Sequence, residues 1–215
     1  MGTCTNTGST GAVFVEVTAD FYGAGDVYLG SETTYVDGGS NVRLSSGSYT
    51  NALGSGQTGF FKIYSDIPYA SVSYVNYRFN HSSYGYSASY ASLAFVQTPI
   101  ASSDYSGDLE LAGQIENRSG AYLTYFTEVC FAALDSSGKV LDVDSTYVTG
   151  STYDYGSGST DTALEPRAKG SYSNNFSYAP YADYDSYLHA FEWNEVNTSP
   201  YGEQDPPFGS WDTPI

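Results

Sequence analysis

The sequence predicts an all-β protein made of two consecutive copies of a small antiparallel sandwich. Three observations carry that prediction. First, the 215 residues fall into short apolar runs separated by Gly/Ser/Asn/Asp clusters, with no long stretch of good helix formers. Second, the runs alternate. Val13, Val15, Val17, Ala19 and Phe21 share one face of an extended chain, and Glu16, Thr18 and Asp20 share the other. Third, the chain repeats itself. "VEVTADFYGAGDVYLGSETTYVDGG" (15–39) lies over "TEVCFAALDSSGKVLDVDSTYVTGS" (127–151), with Glu16 on Glu128, Val17 on Val129 and Thr34-Tyr35-Val36 on Thr146-Tyr147-Val148, all 112 residues apart.

The first copy occupies 1–80. It opens on "GTCTNTGSTG" (2–11), which matches the region of Gly113 and Asn117 in the second copy. "YGAGDVYL" (22–29) supplies a turn, "NALGSGQTGFF" (51–61) matches "TALEPRAKGSY" (162–172), "IPYA" (67–70) matches "APYA" (179–182), and "YVNYRFN" (74–80) is set against "LHAFEWN" (188–194). A Tyr/Ser-rich linker follows over 81–107, in which "SLAFVQTPI" (92–100) reads as an extra strand ended by Pro99. The second copy occupies 108–195, with strands expected at 108–117, 122–134, 139–149, 168–177 and 184–194. "LDSSGKVL" (134–141) is a hairpin in which Gly138 can take a positive φ. The tail 196–215 holds four prolines and is no central strand. Five to seven such strands per copy fit an Ig-like sandwich.

"GQIENRSG", a long strand ending in Phe131-Ala132-Ala133-Leu134-Asp135, "SSGKVLD" and "ALEPRAKGSY" together resemble the FxLYD family of small Ig-like domains. Ala133 and Leu134 depart from the Leu and Tyr of the naming motif. Ala19-Asp20-Phe21-Tyr22-Gly23 is the weaker counterpart in the first copy. The resemblance implies a domain of secreted or surface-attached microbial proteins, and it brings no catalytic residues with it.

In the second copy Leu109, Leu111, Gly113 and Ile115 alternate inward, whereas the first copy has only Met1 before Gly2. Two readings stand. Either the strand is simply shorter and water satisfies its edge, or Gly2, Thr3, Cys4, Thr5 and Asn6 form an edge that accepts another strand. The donor would be 92–100, the C-terminal tail or a neighbouring subunit, and a neighbour would build a fibre. No secretion-signal pattern opens the chain, and Met1-Gly2 is read as a start that follows signal removal.

Composition narrows the function. Seven Lys+Arg against 24 Asp+Glu give a formal net charge of −17, a field that repels nucleic-acid backbones and anionic membrane surfaces. No apolar run is long enough to span a bilayer, so no membrane insertion is expected. The two cysteines form no CxxC pair. Cys4 is expected to point into the core and Cys130 outward, both free. His81 and His189 accompany no G-x-S-x-G or H-E-x-x-H pattern. Glu16 and Glu128 stand at equivalent strand positions, which suits a cross-strand role better than an acid/base pair. No cofactor is expected. Asp135, Asp142 and Asp144 are the one candidate Ca²⁺ set, with loop carbonyls. Tyrosine, at 23 residues, clusters in "SYGYSASY" (83–90), "TYDYGSGS" (152–159) and "SYAPYADYDSY" (177–187). Tyr178, Tyr181, Tyr184 and Tyr187 are the candidate contacts to a glycan or partner, against the plainer reading that Tyr is a good strand residue. Asn80, Asn117, Asn175 and Asn197 begin N-x-S/T triplets and permit N-glycosylation. The expectation is a non-enzymatic extracellular or cell-surface structural protein, a fibre, pilus-like or surface-layer subunit or spacer. Its partners would be copies of itself or other surface proteins. The alternative is a glycan-binding or adhesion module.

Overall fold

The structure, a computed structural model, describes residues 1–82, 85–155 and 158–198. The tail from 199 onward and the tyrosine side chains of 152–159 lie outside them. The chain is all-β and its strands pair antiparallel. The first half holds β1 (Gly2–Thr5), β2 (Ala12–Tyr22), β3 (Tyr28–Tyr35), β4 (Asp37–Gly38), β5 (Ser40–Leu44), β6 (Tyr49–Leu53), β7 (Thr58–Phe61), β8 (Tyr74–Ser82) and β9 (Tyr86–Ala88). Then come β10 (Leu93–Phe95) and β11 (Ile100–Ser103). The second half holds β12 (Asp108–Asn117), β13 (Tyr122–Leu134), β14 (Val140–Tyr147), β15 (Ser151–Tyr155), β16 (Gly158–Ala163), β17 (Lys169–Pro180) and β18 (Ser186–Asn197).

In the second half two sheets face each other. β12 carries β17 on one edge and both β10 and β11 on the other, while β13 lies between β14 and β18. The alternating apolar residues of both sheets meet in one core. Leu109, Leu111 and Ile115 come from β12, Val129 and Phe131 from β13, and Tyr172 and Phe176 from β17. All but Tyr172 are at most 1 % exposed. This two-layer burial is what a period-2 apolar pattern produces once each sheet has one dry face.

The first half has the corresponding large sheet, β3-β2-β6-β5-β9 with β8 on β2. Its second layer is small, made among the described residues of β1, β7 and β4.

Local geometry recurs between the halves at separations of 111 and 112. Phe14 and Phe126 both have positive φ, 51° and 50°. Each sits where the register slips, between Val13 and Glu16 and between Tyr125 and Glu128. Asn6 donates from Nδ2 to the Thr10 and Leu53 carbonyls, and Asn117 donates from Nδ2 to those of Tyr122 and Leu164. Each side chain ties its turn to a distant strand, which accounts for the G-x-x-x-N spacing. The glycine has its own reason. A Cβ at Gly113 would lie 2.8 Å from the Tyr172 hydroxyl, and one at Gly2 would lie 3.1 Å from the Phe61 ring. Both rings need the bare backbone to lie against.

Three expectations are corrected. Residues 92–100 are not one strand. β10 ends at Phe95, and Ile100 opens β11 on the far side of Pro99. The pairing of β8 sets Phe79 against Val17 and Tyr77 against Ala19, while that of β18 sets Phe191 against Val129 and His189 against Phe131. These strands therefore correspond at 112, not 114, and His189 matches Tyr77. Cys130 does face away from Val129 and Phe131, but not into water. It is 2 % exposed, because Phe60 of the first half packs on Cys130, Ala132, Val143 and Ala190. Alternation says which residues share a face and leaves open what covers it.

The halves are therefore in contact. Lys62 Nζ lies 2.6 Å from the buried Asp142 carboxylate and 4.9 Å from the centre of the Tyr178 ring. Glu195, 1 % exposed, accepts from the Tyr90 and Ala91 amides at 2.7 Å each and from Trp193 Nε1 at 3.0 Å. That carboxylate holds the linker as it passes from one half to the other.

Candidate functional site

The strongest candidate is the open edge of β1. Its residues Gly2, Thr3, Cys4 and Thr5 pair with Phe61, Phe60, Gly59 and Thr58 of β7. The Asn6 amide continues the ladder to the Gln57 carbonyl at 3.0 Å. An antiparallel ladder alternates sides. Gly2, Cys4 and Asn6 therefore turn their backbone groups to β7, and Thr3 and Thr5 turn theirs the other way. No strand lies on that other side among the described residues.

The matching edge of the second half is filled. There β10 pairs Leu93 with Asn117, Ala94 with Glu116 and Phe95 with Ile115. The Phe95 ring sits over the core, 5.0 Å from Phe191 and 4.7 Å from His189 between ring centres. In the first half the corresponding rings are left bare. Phe79 is 53 % exposed and Tyr77 is 47 % exposed, both resting on the Phe61 ring. The first half's core beside β1 is smaller, built on Val17, Val36, Leu53 and Phe61 with Cys4, Val15 and Ile63 against it. The result is an unpaired strand edge beside an apolar face, the combination that strand addition uses.

The remaining candidates are dispersed. Asp135 Oδ1 caps its own hairpin, accepting from the Ser137 amide and hydroxyl and the Lys139 amide, which hold its pKa below the usual carboxylate range. Asp142 is committed to Lys62 and to the Tyr178 amide. Asp144 accepts from the Ser145 amide, and burial raises its pKa. No group of three or more His, Cys, Asp or Glu able to hold a metal occurs among the described residues. The expected Ca²⁺ set is thus not gathered, because strand pairing and the inter-half ion pair use those carboxylates.

Of the four tyrosines, Tyr178 and Tyr181 are exposed, while Tyr184 and Tyr187 pack against the core of the second half. Tyr187 stands edge-on to Phe131 at 5.5 Å. Two of the four contacts are therefore core residues rather than a surface platform. Asn117 is fully buried with its amide engaged, which removes it as a glycan acceptor. Asn80 and Asn175 are exposed, and Asn197 is half-buried.

A cluster that sequence reasoning missed lies between the halves. Asp37 of β4 and Glu192 of β18 line a cleft of about 410 Å³ with Tyr35, Tyr49 and Asn51, and the Glu128 charge of β13 acts on both. Burial, reinforced by the Glu192 and Glu128 charges, pushes the Asp37 carboxyl up to about 7. Burial and the Glu128 charge also raise Glu192, which accepts from Asn51 Nδ2. Nothing in the sequence marks the cluster, since it joins residues over 150 positions apart.

No helix among the described residues is long and apolar enough to cross a membrane. Comparison of the chain with known protein families, with curated proteins and with solved structures finds no match.

Proposed function

We propose that this chain is a non-enzymatic structural subunit of an extracellular or cell-surface assembly. In this reading it consists of two tandem Ig-like sandwiches of the FxLYD kind and joins its neighbours by β-strand addition to the edge of β1. One observation carries the reading. Among the described residues, the edge that β10 fills in the second half is open in the first, beside exposed Tyr77 and Phe79. An added strand would pair the outward backbone groups of Thr3 and Thr5 and cover apolar rings, at about 25 cal/mol per Å² removed from water. The large negative charge suits a secreted, soluble subunit.

The test is assembly of the full chain, followed by light scattering on size exclusion and by electron microscopy across a concentration series. Concentration-dependent oligomers are expected. Thr3→Pro removes one outward N–H and leaves the pairing to β7 in place, so it should weaken assembly at least tenfold without lowering the melting temperature. A monomer at every concentration would contradict the reading.

The alternative, an adhesion module, draws on the exposed rings of Tyr178 and Tyr181. A glycan array on which Tyr181→Ala abolishes a reproducible signal would favour it.

A further inference from the structure

The sequence after β18 repeats the segment between the halves. Asn80-His-Ser-Ser-Tyr-Gly has its like in Asn197-Thr-Ser-Pro-Tyr-Gly, and Thr98-Pro99-Ile100 has its like in Thr213-Pro214-Ile215. Counting back from the two Thr-Pro-Ile triplets sets Ser92-Leu93-Ala94-Phe95-Val96 over Pro207-Phe208-Gly209-Ser210-Trp211. In the second half the first of these stretches is β10 with its flanks. It is bounded by the Arg118 amide donating to the Ser92 carbonyl at 2.7 Å and the Val96 amide donating to the Gln114 carbonyl at 2.9 Å. Its partners Ile115, Glu116 and Asn117 correspond to Cys4, Thr5 and Asn6, the open edge of β1.

We propose that residues 207–211 of one copy add to β1 of a second copy as an antiparallel strand, with Phe208 opposite Asn6 and Ser210 opposite Cys4. This rests on the strand-acceptor reading and names the occupant. Direction in the chain decides between the copy's own edge and another's. The segment that follows the first half does not serve β1 behind it. It serves β12 ahead of it, although β1 is open. By the same direction the equivalent segment after the second half serves a β1-type edge ahead of it, and a second copy supplies one. Such a contact is heterologous and propagates head to tail.

The backbone chemistry fits. Position 92 is used through its carbonyl and position 96 through its amide. Pro207 keeps a carbonyl, Trp211 keeps an amide, and Pro206 and Pro214 fall outside the paired stretch. Phe208 stands for the buried Leu93. Ser210 brings no ring where Phe95 has one, and there the first half supplies its own, with Phe61 packed on Tyr77 at 5.7 Å and on Phe79 at 6.2 Å.

The register gives a sharp test. The Ser92–Arg118 and Val96–Gln114 pairs are hydrogen-bonded, so Phe95 and Ile115 form a non-hydrogen-bonded pair, whose side chains approach closely enough for a disulfide. Cys4 already occupies the Ile115 position, and the other native cysteine, Cys130, is buried. Full-length Ser210→Cys, oxidised mildly, should give a ladder of dimers, trimers and longer species on non-reducing gels. Cys4→Ser in that background should abolish the ladder, and Asp205→Cys, outside the register, should not form one. Three results would overturn the proposal: a monomer closed by an internal 4–210 link, an equal ladder from Asp205→Cys, or no link while the wild-type chain still assembles. The last would leave the edge as an acceptor for a different strand. No link together with no assembly would remove both readings.

Discussion

Glu195→Ala is expected to lower the unfolding free energy by about 3–5 kcal/mol. The carboxylate is 1 % exposed and accepts from the Tyr90 and Ala91 amides, the Trp193 indole and the Tyr49 side chain. Truncation takes the acceptor from all of these donors, and two of them belong to the backbone of the linker. Each orphaned buried donor costs about 1–3 kcal/mol, while relaxation and entering water return part of the sum. Glu195→Gln keeps one accepting oxygen and should fall between wild type and Ala. Urea unfolding gives the magnitude, and amide exchange gives the place. Tyr90 and Ala91 should lose protection well before the strands of the second half. A loss under 1 kcal/mol would mean that the linker is held by something else.

The second large effect concerns pH. The Asp37 carboxyl is raised to about 7 in the folded chain by burial and by the Glu192 and Glu128 charges, against about 3.9 when unfolded. Between those values the folded state keeps a proton that the unfolded state has released. Its stabilising effect is therefore present in full below about pH 4, declines as pH rises through the window, and is gone above about pH 7. A difference of this size corresponds to at most about 4 kcal/mol. Melting measured from pH 4.5 to 8.5 should show the contact between the halves weakening as pH rises. Asp37→Asn should flatten most of that slope, gaining about 2 kcal/mol or more at pH 8 and little at pH 4.5. The raised Glu192 leaves a residual slope of the same sign. An Asp37→Asn profile parallel to wild type would show that this carboxyl does not govern it.

Both effects arise where the sequence is least legible. Alternation located β12 and β13 to the residue, because Leu109, Leu111 and Ile115 and then Val129 and Phe131 each need one dry side. The hairpin at Gly138, φ +80°, follows from local turn chemistry, and Asp135 completes it. Gly113 and Asn117 were recognisable as a motif, although its purpose, a ring laid on bare backbone and a side chain bridging two carbonyls, needed coordinates. Contacts between the halves had no local signature. Phe60 covering Cys130, Lys62 reaching Asp142, and Asp37 facing Glu192 each join residues far apart in the chain. Composition misjudged the linker for a related reason. Its Tyr/Ser content looked like loop, yet β9 belongs to the first half's sheet while β10 and β11 complete the second's.

The most direct test of that edge is amide exchange at Thr3 and Thr5 as protein concentration is raised. A docking strand should protect these two amides at least tenfold more in concentrated than in dilute protein, while Cys4 and Asn6, bonded to β7, stay protected throughout. Rapid exchange at Thr3 and Thr5 at every concentration, in samples shown to contain oligomers, would contradict strand addition at β1.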